Sequence, residues 1–93
     1  MVLIDYHKNV WPEVLNSLKQ VGCHEMKIFI LGRRLFMYCE VVDDFEPDVD
    51  FPRYLKLSSI CQEWEDLMTS LQEPVKDAQE GEKWARMTQI FQL

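Results

Sequence analysis

Imidazole is the side chain whose unperturbed pKa lies nearest neutral pH, and this 93-residue chain carries two, His7 and His24. His7 belongs to the run His7-Lys8-Asn9-Val10-Trp11-Pro12-Glu13. Pro12 has φ preset near the helical value and needs no N–H partner in a first turn, so a helix is expected to begin at Trp11 or Pro12. The same ring pushes Trp11 out of the right-handed helical region, which should break or kink the chain just after His7. His7 and Trp11 then stand at a bend, where a side chain reaches space that a regular helix would fill. Such a histidine is a candidate acid/base. The plain alternative is that His7 caps the helix or packs beside Trp11.

The three cysteines, Cys23, Cys39 and Cys61, are odd in number and form no Cys-x-x-Cys pair, which argues against a disulfide framework or a zinc ribbon. Each falls in or beside an expected helix or strand, where free cysteine acts as a small buried hydrophobe. A Cys23/His24 dyad is disfavoured because neighbouring residues of a strand face opposite ways. Five carboxylates crowd the eight positions from Asp43 to Asp50. A calcium loop would need a central glycine and a glutamate at its twelfth position, so this run is read as a solvated loop.

Composition narrows the class further. The chain is 47% hydrophobic and 12% aromatic, enough to fold as one domain, though a domain this small hides only about two-thirds of its surface, which favours dimerisation. A net charge of −6 without a Lys/Arg block argues against nucleic acid and anionic membrane partners. No apolar run approaches the roughly 20 residues of a membrane span, and Met1-Val2-Leu3-Ile4 is too short for a signal-peptide core. A soluble, cytoplasmic protein is expected.

The elements that must position these residues follow from periodicity. Val10 or Trp11, Val14, Leu15, Leu18 and Val21 recur at helical spacing and Gly22 is placed to end the helix. His24 to Leu31 and Leu35 to Val42, joined by Gly32-Arg33-Arg34, read as a β-hairpin. Leu35, Met37, Cys39 and Val41 share one face of its second strand; Phe36, Tyr38, Glu40 and Val42 share the other. Both faces are largely apolar, so a ligand cavity or another subunit should cover the second. Asp50 is expected to cap a helix begun by Pro52 with Phe51, Tyr54, Leu55 and Leu57. Ser59-Ile60-Cys61-Gln62 has the capping-box pattern, with Ile60, Trp64, Leu67, Met68 and Leu71 as the apolar stripe of a further helix. Glu73 to Glu82, with Pro74 and Gly81, reads as a long loop, and Trp84 to Leu93 as a closing strand.

Helix, strand, strand, helix, strand is the order of a ferredoxin-like α+β domain short of its first strand. Met1 to Tyr6 leaves little room for a strand and a turn, which suggests a chain shortened at its start. The competing view makes Met1 to Ile4 a short edge strand.

The cluster His7-x-x-x-Trp11-Pro12-Glu13, the helix ending at Gly22, the hairpin with Leu35-Phe36 and Glu40, the segment Cys61-Gln62-x-Trp64-x-x-x-Met68 and the final Gln89-Ile90-Phe91 together resemble the L-rhamnose mutarotases. The resemblance runs from about His7 to the C-terminus. It implies one ferredoxin-like domain over residues 1–93, N-terminally short, pairing into a homodimeric α+β barrel, and a monosaccharide partner whose anomers are interconverted. No metal or organic cofactor is implied. By the same resemblance His7 is the acid/base and Trp64 stacks on the sugar, with Trp11, Met26 and Glu65 also at the substrate. Departures accompany it. Leu3 stands where the family has a substrate-binding tyrosine, Met26 where it has a second, and Glu65 where it has the second of two adjacent tryptophans. Neither Leu3 nor Met26 can donate a hydrogen bond; Tyr6 or Tyr38 could substitute, and Glu65 could act as a partner acid or base. The alternative is a non-catalytic dimeric binding or interaction protein on the same fold.

Overall fold

The computed structural model describes residues 2–80 and 82–93. Met1 and Gly81, which belong to the edge-strand and long-loop expectations above, lie outside the described residues. The elements run α1 (Val2–Lys8), α2 (Pro12–Gln20), β1 (Cys23–Leu31), β2 (Arg34–Val41), α3 (Pro47–Leu57) and α4 (Ser59–Leu71). The class is α+β.

The break at Pro12 is where local chemistry puts it: α1 stops at Lys8 and α2 starts with Pro12 in its first turn. Val14, Ser17 and Val21 turn inward, with Leu18 partly buried beside them. Leu15, expected on the apolar stripe, is 45% exposed. It lies about 100° around the helix from Val14, and Ser17, one turn from both Val14 and Val21, takes the inner face. Gly22 ends this stretch at φ +107°, and a Cβ there would come within 2.6 Å of Val42 Cγ2. The Gly22 carbonyl accepts the Val42 N–H at 2.9 Å, so glycine is what lets the end of the hairpin close against α2.

β1 and β2 pair antiparallel from Leu31↔Arg34 outward, with an irregularity between Cys23 and Glu25. Gly32, at φ +60°, is the one positive-φ residue of the two-residue connection. That is the signature of a type II′ turn, whose twist suits paired strands. Leu35, Met37, Cys39 and Val41 are half-buried while the alternate residues of β2 are exposed, as the alternation requires. Buried Cys23 and exposed His24 face apart. Burial raises the Cys23 thiol and pushes Cys39 up to about 11, so both remain neutral thiols in a packing role.

Three expectations are corrected. First, Val2–Ile4 belongs to helix α1, so it forms no edge strand; the helix brings Leu3, buried at 5%, into the core. Second, the acidic run is a loop only at its start, because α3 begins at Pro47 and holds Pro52 inside it. Either proline suits a first turn. The earlier one prevails because an Asp50 carboxylate oxygen accepts the Glu46 N–H at 2.8 Å, closing the helix start around Pro47. Ser58 then caps α4, its hydroxyl accepting the Ile60 N–H at 3.2 Å, where Ser59 was expected to. Third, Trp84 to Leu93 forms no strand. Among the described residues the sheet is β1-β2 alone, and residues 84–93 pair with neither of its edges. Arg86 instead ties this segment to Asp48 of α3 at 2.7 Å.

The core lies between the helices: Leu3, Val14, Val21, Tyr54, Cys61, Trp64 and Met68 form one cluster, with Leu35 reaching it from the sheet. α4 packs against both α2 and α3, and α2 also against β1. Among the described residues no helix is long and apolar enough to cross a membrane.

Candidate functional site

Trp64 of α4 is the centre of an aromatic cluster that collects residues from α1 and the α1–α2 bend. Its indole meets Trp11 at 5.1 Å between ring centroids, His7 at 5.7 Å and Tyr6 at 6.4 Å, all edge-on. Edge-to-face contact sets the positive rim of one ring on the negative face of another. The helical conformation of α1 is what makes this convergence possible, since residues one turn apart share a face. Leu3 and His7 then point together toward the indole.

His7 is half-buried, and its Nδ1 lies 2.8 Å from the carbonyl oxygen of Leu3 one turn earlier. A carbonyl only accepts, so the proton of the neutral ring sits on Nδ1. Nε2 is thereby left with its lone pair, the atom able to take a proton from a substrate hydroxyl. The ring is held from two directions, by the Leu3 carbonyl of α1 and by the Trp64 indole of α4.

His7, Trp11 and Trp64 are thus brought together. Met26 and Glu65 are not part of that cluster. Met26 lies on β1 opposite Cys39, half-buried on the sheet. The Glu65 carboxylate receives a hydrogen bond from Lys83 Nζ at 2.9 Å, at the edge of a groove of about 470 Å³ also lined by Thr69, Gln72, Gln79 and Glu82. That groove lies between α4 and the following segment, and although polar residues rim it, most of the surface it exposes is apolar. A smaller hollow, about 280 Å³, is lined by Val2, Asp5 and Tyr6, on the helix that carries His7. Trp64 itself is only 7% exposed, so Tyr6, at 36%, is the more open aromatic surface.

Two features of this arrangement were missed from sequence. The Leu3 carbonyl as partner of His7 would have followed from the four-residue spacing had residues 2–8 been read as a helix. The Glu65–Lys83 pair carries no local signal, because the two residues meet only through the path of the chain after α4.

A helical start, an antiparallel hairpin and a histidine held against buried tryptophan define a small α+β protein with one acid/base candidate. A family model described as L-rhamnose mutarotase matches residues 4–93, and the chain belongs to the L-rhamnose mutarotase family. It is 44% identical over 91 residues to a UPF0734 protein of Dictyostelium discoideum, covering 95% of this chain and 73% of that protein. It is 40% identical to an L-fucose mutarotase of Xanthomonas campestris, over 90% of this chain and 66% of that protein. An L-rhamnose mutarotase of Bacillus subtilis is 32% identical over 76% of this chain and 65% of its own length. The chain spans about two-thirds of each of these two named mutarotases.

Proposed function

We propose that this protein is an aldose mutarotase that interconverts the α and β anomers of L-rhamnose or a related 6-deoxy sugar, as a cytoplasmic homodimer. The observation that carries the reading is the hydrogen bond from His7 Nδ1 to the Leu3 carbonyl at 2.8 Å, which leaves Nε2 free for proton transfer. In the reaction Nε2 takes the proton of the anomeric hydroxyl as the bond from C1 to the ring oxygen breaks, and the imidazolium so formed gives that proton, directly or through a water, to the ring oxygen. The open aldehyde rotates and closes on its other face, returning the proton. Trp64 holds the imidazole and offers the sugar its small exposed part, with Trp11 beside it; Met26 and Glu65, which stand outside this cluster, are assigned as more distant substrate contacts. Relatives named for L-rhamnose and for L-fucose support a 6-deoxy sugar as the substrate class. In this reading residues 1–93 act as one ferredoxin-like domain, its sheet completed against a second copy. The exposed apolar residues Phe29, Leu31 and Phe36 of the hairpin and Ile90, Phe91 and Leu93 of the last segment support that pairing.

The test is NMR exchange between the anomers of L-rhamnose, then of L-fucose, with protein, with its His7→Ala variant, and with neither. Exchange above the uncatalysed rate, falling by about a hundredfold or more in a variant that remains folded, is the expected result. A second reading has its own support: Trp64 is nearly enclosed and the Glu65 carboxylate is engaged by Lys83, which suits a non-catalytic dimeric binding protein. An unchanged exchange rate with both sugars, from folded protein, favours that reading.

A further inference from the structure

The site described so far has a proton-transfer group but no polar side chain that orients a sugar. Leu3, one turn before His7, is buried and contributes only methyl groups; its carbonyl is already engaged by the His7 ring. Two tyrosines are the natural sources of a hydroxyl. Tyr38 lies on the open face of the hairpin, where its hydroxyl donates to Glu40 at 2.9 Å and Lys27 Nζ stands 5.9 Å from its ring. It is committed elsewhere. Tyr6 sits beside His7 on α1, its ring packed edge-on against the same indole that His7 meets. Among the described residues nothing hydrogen-bonds its hydroxyl, and its ring walls the hollow of about 280 Å³ shared with Asp5 and Val2. The Asp5 carboxylate, 65% exposed and 3.4 Å from Lys8 Nζ, supplies an acceptor on the same wall.

We propose that Tyr6 is the sugar-positioning residue of this site: its phenol hydrogen-bonds a ring hydroxyl of the 6-deoxy sugar while Asp5 accepts from a second, presenting the anomeric hydroxyl to His7. This rests on the mutarotase reading. Pairing a phenol and a carboxylate with adjacent hydroxyls fixes orientation, because each contact is directional, and a site built to hold a hydroxyl loses affinity when one partner is removed.

The experiment measures anomer exchange against L-rhamnose concentration, and sugar binding separately by NMR titration, for the full chain and for Tyr6→Phe and Tyr38→Phe. Tyr6→Phe is expected to raise KM and the dissociation constant about five- to tenfold, the loss of one hydrogen bond, with kcat and thermal melting little changed; Tyr38→Phe is expected to match the parent. Equal KM and equal sugar affinity in Tyr6→Phe and parent overturn the proposal. If the parent binds L-rhamnose without accelerating exchange, the catalytic reading fails while the binding comparison still decides the role of Tyr6. If the folded parent neither binds nor turns over L-rhamnose and L-fucose, both are overturned.

Discussion

A backbone group one turn away sets the state of two titratable side chains in this protein. The Leu3 carbonyl fixes which nitrogen of His7 carries the proton, and the Glu46 N–H, followed by the Arg53 guanidinium, holds the Asp50 carboxyl below its usual value. For Asp50 the sign follows directly. A carboxyl that ionises more readily in the folded chain adds stability above its unfolded pKa, and loses it as pH falls through the lower, folded one. Asp50→Ala should therefore melt at a lower temperature than the parent at pH 7, and the gap should close as pH is lowered past about 4; paired thermal melts from pH 7 to 3 check this. Among single residues, sequence pointed to His7 and Trp64 through the kinds of side chain at the Pro12 bend and in the Cys61-Gln62-x-Trp64 segment. Their contact at 5.7 Å was not legible, since it depends on α1 folding back over α4.

At the scale of elements, what was legible is what neighbouring residues decide among themselves. Pro12 starts α2, Gly22 ends it, and Gly32 turns the hairpin, each through its own backbone preference. Sequence admits a strand for Met1 to Ile4 and points to one for Trp84 to Leu93, and the two readings fail for opposite reasons. Val2, Leu3, Ile4 and Tyr6 fit either period, and burial of Leu3 among α2 and α4 side chains selects helix; the Trp84 to Leu93 alternation favours a strand, but the segment is tied to α3 through Arg86 and Asp48 and lies against neither edge of the sheet. Gly22 is the element boundary most sensitive to substitution. Gly22→Ala must carry a positive φ and a contact of 2.6 Å with Val42, and is expected to cost about 2–3 kcal/mol. Gly32→Ala meets no atom within 4 Å and bears only the conformational cost, about 1 kcal/mol. Urea denaturation of the two variants compares them directly.

The whole molecule is unevenly covered. Helices shield one face of the hairpin, while Phe29, Phe36 and Tyr38 on the other remain open, together with the extended apolar residues Ile90, Phe91 and Leu93. That second apolar face was legible in the alternation of Phe36, Tyr38 and Val42; which surface covers it was not, because a pattern of side chains names a need and not its partner. With a second copy as that partner, Phe36→Lys would place a charge in the interface and should raise the dimer dissociation constant at least tenfold, as read by sedimentation equilibrium. The two-stranded sheet, with both edges open among the described residues, then has a thermodynamic consequence. With a second copy paired there, folding and association would be one equilibrium obeying mass action: the melting temperature would climb with protein concentration, and dilution alone would act as a denaturant.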